Sequence, residues 1–107
     1  LNMKVINEES MMGNHMKIVA YISQGRIYQE LGLFKDSEKM FKTVMKLDDE
    51  NAELFYEYSI LKEKQGDKDE ALDLIMKAYN LYKDADRELE LTQKIFTRYE
   101  SFQEQLP

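Results

Sequence analysis

Cysteine is absent from the 107-residue chain, which excludes a disulfide framework, a Cys-based zinc site and a cysteine nucleophile. Histidine occurs once, glycine four times, and the one proline is the last residue, Pro107. So few turn-formers leave little with which to build a fold of many short strands. No stretch approaches the roughly 18 consecutive apolar residues of a membrane-spanning helix. The opening Leu1-Asn2-Met3-Lys4-Val5-Ile6-Asn7 has neither the apolar core nor the small-residue cleavage site of a signal peptide. These absences lead to the expectation of a soluble, cytoplasmic chain without membrane insertion. Positive charge is also short, 15 Lys plus Arg against 21 Asp plus Glu for a net charge of -6, which speaks against a nucleic-acid binder that tracks phosphates. Because the sequence begins at Leu1 rather than Met, it is expected to be a segment of something longer.

What is present favours helices throughout. Leu, Met, Glu, Lys and Gln are abundant, and all are strong helix formers. Their order also repeats. Shifted by 34 residues, Gly32 falls on Gly66 and Leu47 on Leu81, while Tyr21 meets Phe55, Gly25 meets Ser59, Ser37 meets Ala71, Phe41 meets Ile75 and Val44 meets Ala78. The register defines full units at 18–51 and 52–85, an N-terminal segment at 1–17 and a C-terminal helix at 86–107.

Each unit divides at its glycine into two amphipathic helices. In the first, Tyr21, Ile22, Gly25, Ile27, Tyr28 and Leu31 recur at spacings of three and four, and the second helix carries Ser37, Met40, Phe41, Val44 and Leu47 on one face. Gly32 and Gly66 supply the left-handed residue that closes a helix, and Asn51 and Asp67 are placed to cap the helices that follow. A last cap near Asp84 starts a helix reaching about Gln105. At the other end, Gly13-Asn14 reads as the stop of a helix over 2–12 and the cap of one beginning at His15. The expectation is an all-α fold of about six helices and no strands.

Clusters suited to catalysis or metal binding are lacking. His15 stands alone at an expected helix start, where exposure or capping outweighs ligation. Asp48-Asp49-Glu50 and Asp67-Lys68-Asp69-Glu70 have no alternating ligands, central Gly and terminal Glu of a calcium loop, and helix N-termini favour acids anyway. The glycines are singletons at helix ends rather than a phosphate-binding loop. Neither an enzyme nor a cofactor is expected.

The pattern resembles the tetratricopeptide repeat (TPR) family, whose unit is a 34-residue helix-turn-helix. The residues that carry the resemblance are the bulky Tyr21 and Phe55, the small Gly25 and Ser59 four places on, the closing Gly32 and Gly66, the small Ser37 and Ala71, and then Phe41 and Ile75. Gln65-Gly66-Asp67-Lys68-Asp69-Glu70-Ala71-Leu72 is the strongest stretch. Gln24 and Thr92 depart from a usual Leu, Lys62 from a usual Tyr, and Asp49 and Lys83 from a frequent Pro. The resemblance implies a right-handed superhelix of antiparallel helix pairs. Residues 12–21 are also similar to the junctions in TPR arrays of bacterial signalling and transcription regulators, so 1–12 is either the second helix of a preceding repeat or a capping helix.

In this family the first helices of successive units line a concave groove that holds a peptide or a partner protein. Carried over, the groove positions are Ile22, Arg26 and Gln29 in the first unit, Glu53, Tyr56, Glu57, Ile60 and Glu63 in the second, and Arg87, Glu90, Lys94 and Arg98 on the last helix. A non-enzymatic interaction module is therefore implied, with the sensory segment of a larger bacterial regulator as the alternative. The co-chaperone subfamily that grips a C-terminal carboxylate needs a Lys and an Asn, then an Asn, then a Lys and an Arg, at positions occupied here by Ile22, Arg26, Glu57, Arg87 and Leu91. Only Arg87 keeps a suitable charge, so that ligand is not expected. Self-association is open, because an incomplete array can complete its stack against a second copy.

Overall fold

The computed structural model describes residues 3–86 and 88–105, with side chains from Gly13 onward. Among the described residues it contains five helices and no strand: α1 (Met3–Glu30), α2 (Phe34–Leu47), α3 (Ala52–Lys64), α4 (Lys68–Tyr82) and α5 (Glu90–Gln105). They fall into two compact units, Leu1–Asp49 and Glu50–Pro107. Within the first, α1 packs on α2; within the second, α3 packs on α4 and α4 on α5.

The 34-residue register recurs as hydrogen bonding. Gly32 takes φ 80°, its N–H donates to the Gln29 carbonyl at 3.1 Å, and the Leu33 N–H donates to the Tyr28 carbonyl at 2.9 Å. Thirty-four residues on, Gly66 takes φ 86°, its N–H donates to Glu63 at 3.0 Å, and Asp67 donates to Lys62 at 2.9 Å. Both are the paired bonds that satisfy the last carbonyls of a helix, and both need a left-handed residue that only glycine adopts at little cost. Asn51 Oδ1 accepts from the Leu54 N–H at 3.0 Å, and Asp67 Oδ1 from the Glu70 N–H at 3.1 Å, so both expected caps are formed.

One cap is missing. Leu33 precedes α2 with φ -88° and ψ 69°, close to the -96° and 80° of Asp67 before α4, yet it offers no side-chain acceptor. It is also 45% exposed, so little packing depends on it. Leu33→Asp is expected to stabilise the first unit by about 1 kcal/mol, read as a higher urea midpoint with unchanged slope. A midpoint at or below the parent value would contradict the equivalence of the two turns.

Small residues let the paired helices approach. Ser37 Oγ donates to the Gly25 carbonyl at 2.7 Å, and a Cβ on Gly25 would lie 2.5 Å from Phe41 Cε1. Phe41, Val44 and Ser37 are fully buried. In the second unit their counterparts Ile75, Ala78 and Ala71 are fully buried as well, with Ser59 at the place of Gly25. Large side chains of this kind contribute roughly 1.5–3 kcal/mol each on burial. Between α4 and α5, Tyr79 stacks on Tyr99 with ring centroids 4.2 Å apart and lies 5.0 Å from Phe96.

Two boundaries differ from the sequence reading. The expected break at Gly13-Asn14 is absent: α1 runs through it, and among the described residues only Gly32 and Gly66 have positive φ. A glycine inside a helix costs only about 1 kcal/mol relative to alanine, so without closing bonds it does not stop one. The expected cap at Asp84 is absent too. Asp86 Oδ1 instead accepts from the Glu88 N–H at 2.9 Å and the Asp86 carbonyl accepts from Leu89 at 3.2 Å, a local turn that competes with helix and delays α5 to Glu90. The side chains of Val5, Ile6 and Met12, and all of Arg87, lie outside the described residues.

Candidate functional site

An open groove of about 580 Å³ lies in the second unit, lined by Tyr56 and Glu63 of α3 and by Glu90, Gln93, Lys94, Thr97, Arg98, Ser101 and Phe102 of α5. The α5 residues fall at helical spacings of three and four, hence on one side of the helix. A smaller recess of about 310 Å³ continues along Glu53, Glu90, Leu91 and Lys94.

Arg98 ties the two walls together. Its Nε donates to Ser59 Oγ at 2.8 Å, its Nη1 lies 3.1 Å from Glu63 Oε1, and its guanidinium carbon sits 5.1 Å from the centre of the Phe102 ring. Ser59 Oγ in turn donates to the Tyr56 carbonyl at 2.6 Å. The planar guanidinium spans these three partners at once, which a lysine ammonium could not. Its side chain is 16% exposed, so the ion pair is shielded from water more than a surface pair would be.

Lys94 is different. It is exposed and pairs along its own helix with Glu90 at 3.1 Å. The hydrogen bond and the charge of Glu90 raise its pKa above the ordinary 10.5, with smaller contributions from Tyr56 and Glu57. A raised lysine stays protonated at neutral pH; what the pair contributes is complete below 10.5 and is lost only as pH rises through the raised value. The groove thus presents two positive charges, each beside a carboxylate.

The positions expected from the sequence are distributed unevenly. Tyr56, Glu63, Glu90, Lys94 and Arg98 converge on the main groove, and Glu53 lines the recess beside it. Ile60 is half-buried and Glu57 is buried at 9% exposure. In the first unit Arg26 is exposed, whereas Ile22 and Gln29 are each 3% exposed and belong to the interior. Gln93, Thr97, Ser101 and Phe102 were not among the expected residues. Thr97 stands 34 residues after Glu63, so the repeat register itself carried the signal; Ser101 and Phe102 lie one helical turn further on the same side.

Among the described residues, no group of three or more His, Asp or Glu is placed to hold a metal ion, and no helix is long and apolar enough to cross a membrane. Two helix pairs closed by the same bonds 34 residues apart define a helical-repeat protein. More particularly, residues 18–51, the first of the two 34-residue stretches of the sequence register, match the family model described as tetratricopeptide repeat. The closing turn of that segment, at Gly32, is reproduced between α3 and α4 at Gly66. No curated protein gives a significant match to the chain. Repeats of this family generally mediate protein–protein contact rather than catalysis.

Proposed function

We propose that the groove between α3 and α5 binds an extended peptide or a segment of a partner protein, and that the chain acts as a non-enzymatic interaction module. The observation that carries this reading is the convergence of a half-buried tyrosine, Tyr56, with two cations that each lie beside a carboxylate, Lys94 by Glu90 and Arg98 by Glu63. An aromatic wall gives contact area at low entropic cost, and pre-ordered charges give register. Acidic groups on α3 beside basic groups on α5 suit a ligand with a basic stretch next to an acidic one.

Affinity capture with the full chain, repeated with Tyr56→Ala and Lys94→Ala, tests it. Both residues are partly or wholly exposed, and the Lys94 pair lies within one helix in contact with water, so the fold depends little on it. Partner recovery should fall at least about tenfold for Tyr56→Ala, in line with loss of an aromatic anchor, and should weaken with added salt for the parent chain. Equal recovery by the parent and both variants removes the proposal.

A further inference from the structure

The first helix is apolar on two sides. One side, Ile18, Ile22, Gly25 and Gln29, is buried. Roughly opposite, at about 100° per residue, runs a second stripe of Met16, Val19, Ala20, Ser23, Ile27 and Leu31. Of these Met16 is 69% exposed, Leu31 68%, Val19 49% and Ile27 46%. Together the four leave roughly 400 Å² of apolar side chain in water, the size of the largest patches on soluble monomers. The helix is also 28 residues long against 14 for α2, so its own unit can flank only about half its length.

From this we infer that the stripe is a homodimer interface in which a second copy of α1 packs antiparallel, on a two-fold axis near Ser23 and Gln24. The stripe is nearly symmetric about that point. An antiparallel copy places Met16 over the partner's Leu31 and Val19 and Ala20 over the partner's Ile27, and it brings the small Ser23 and Ala20 to the centre, where helix backbones come closest. A two-fold interface requires such self-complementarity, one patch meeting itself. The area agrees with it. A stable dimer covers about 800 Å² on each partner, of which about 65% is apolar in homodimers. The four side chains supply most of that apolar share, and Ala20 and the aliphatic stems beside the stripe widen it. Lys17, Arg26 and Glu30 border the stripe, and all three are exposed, so water reaches them. None of these residues lines the α3–α5 groove, so the inference stands apart from the proposed function.

Sedimentation of the full 12.8 kDa chain over about 1–300 µM tests it. The weight-average mass should rise toward twofold with concentration, and Ile27→Glu should hold it at the monomer value with an unchanged helical circular dichroism spectrum. Because the chain has no cysteine, introduced thiols read the register. Ser23→Cys should link to itself on mild oxidation; Met16→Cys should not, but should link to Leu31→Cys when the two are mixed. A parent chain that stays monomeric throughout, an Ile27→Glu chain that still dimerises, or a Met16→Cys chain that links to itself as readily as Ser23→Cys overturns the inference.

Discussion

Truncating Phe41 to alanine is expected to cost the first unit about 3–5 kcal/mol. The ring is fully buried on α2 and lies against α1 at Gly25, where a Cβ would come within 2.5 Å of Cε1 and 2.9 Å of Cδ1. The α1–α2 contact therefore rests on one large residue inserted where its neighbour has no side chain. Gly25→Ala probes the same contact from the other side. An exposed mid-helix Gly→Ala gains about 1 kcal/mol; here overpacking against a ring with no room to move should reverse the sign and destabilise by about 1–3 kcal/mol. Phe41→Leu combined with Gly25→Ala should recover part of that loss, so the double variant is more stable than the two single losses added together. Urea melts of the parent, Phe41→Ala, Gly25→Ala, Phe41→Leu and the double variant decide it. A stabilising Gly25→Ala, or strict additivity, would sink the account of how these helices meet.

Arg98→Met should lower stability by about 1.5–3 kcal/mol, the range for hydrogen bonds that involve a charged group. It removes the donor to Ser59 and the partner of Glu63 while keeping the length of the side chain beside Phe102. Desolvation works against the pair: Nη2 is buried without a hydrogen-bond partner, a cost that methionine does not carry. The sign of the measured change thus decides between two physical effects. A loss means that the three contacts outweigh burial of the charge; a gain means that the arginine is kept for the groove at the expense of the fold. Arg98→Lys should restore charge and little else, because one ammonium cannot reach all three partners. A midpoint for Arg98→Lys equal to the parent would refute the bridging role.

The parts of the fold legible in the sequence are those set by local chemistry. Gly32, Gly66, Asn51 and Asp67 occupy their expected turns because a left-handed residue and a short side-chain acceptor act within a few residues of themselves. Helix ends that depend on competition were not legible. Gly13-Asn14 has the composition of a stop, but no closing bonds form there and α1 continues; Asp84 has the composition of a cap, but the turn at Asp86 takes its place. The site divides in the same manner. The groove positions that the family resemblance implies include Tyr56, Glu63, Glu90 and Lys94, and these side chains line the α3–α5 groove. The resemblance could not reveal that Ile22 and Gln29 are interior, nor that Arg98 reaches a serine 39 residues away, because both follow from packing between helices.

Ser59 holds a position with two incompatible sets of acceptable substitutes. For the approach of the helices any small residue serves, as Gly25 does one unit earlier. For the groove only a hydroxyl serves, since it receives Arg98 while donating to the Tyr56 carbonyl. Alanine would keep the approach of the helices but take away the acceptor of Arg98, leaving the arginine held by Glu63 and Phe102 alone. A residue with no solvent-accessible surface therefore sets the aim of a charge that a ligand would meet. Any search for affinity variants restricted to exposed groove residues would pass over it.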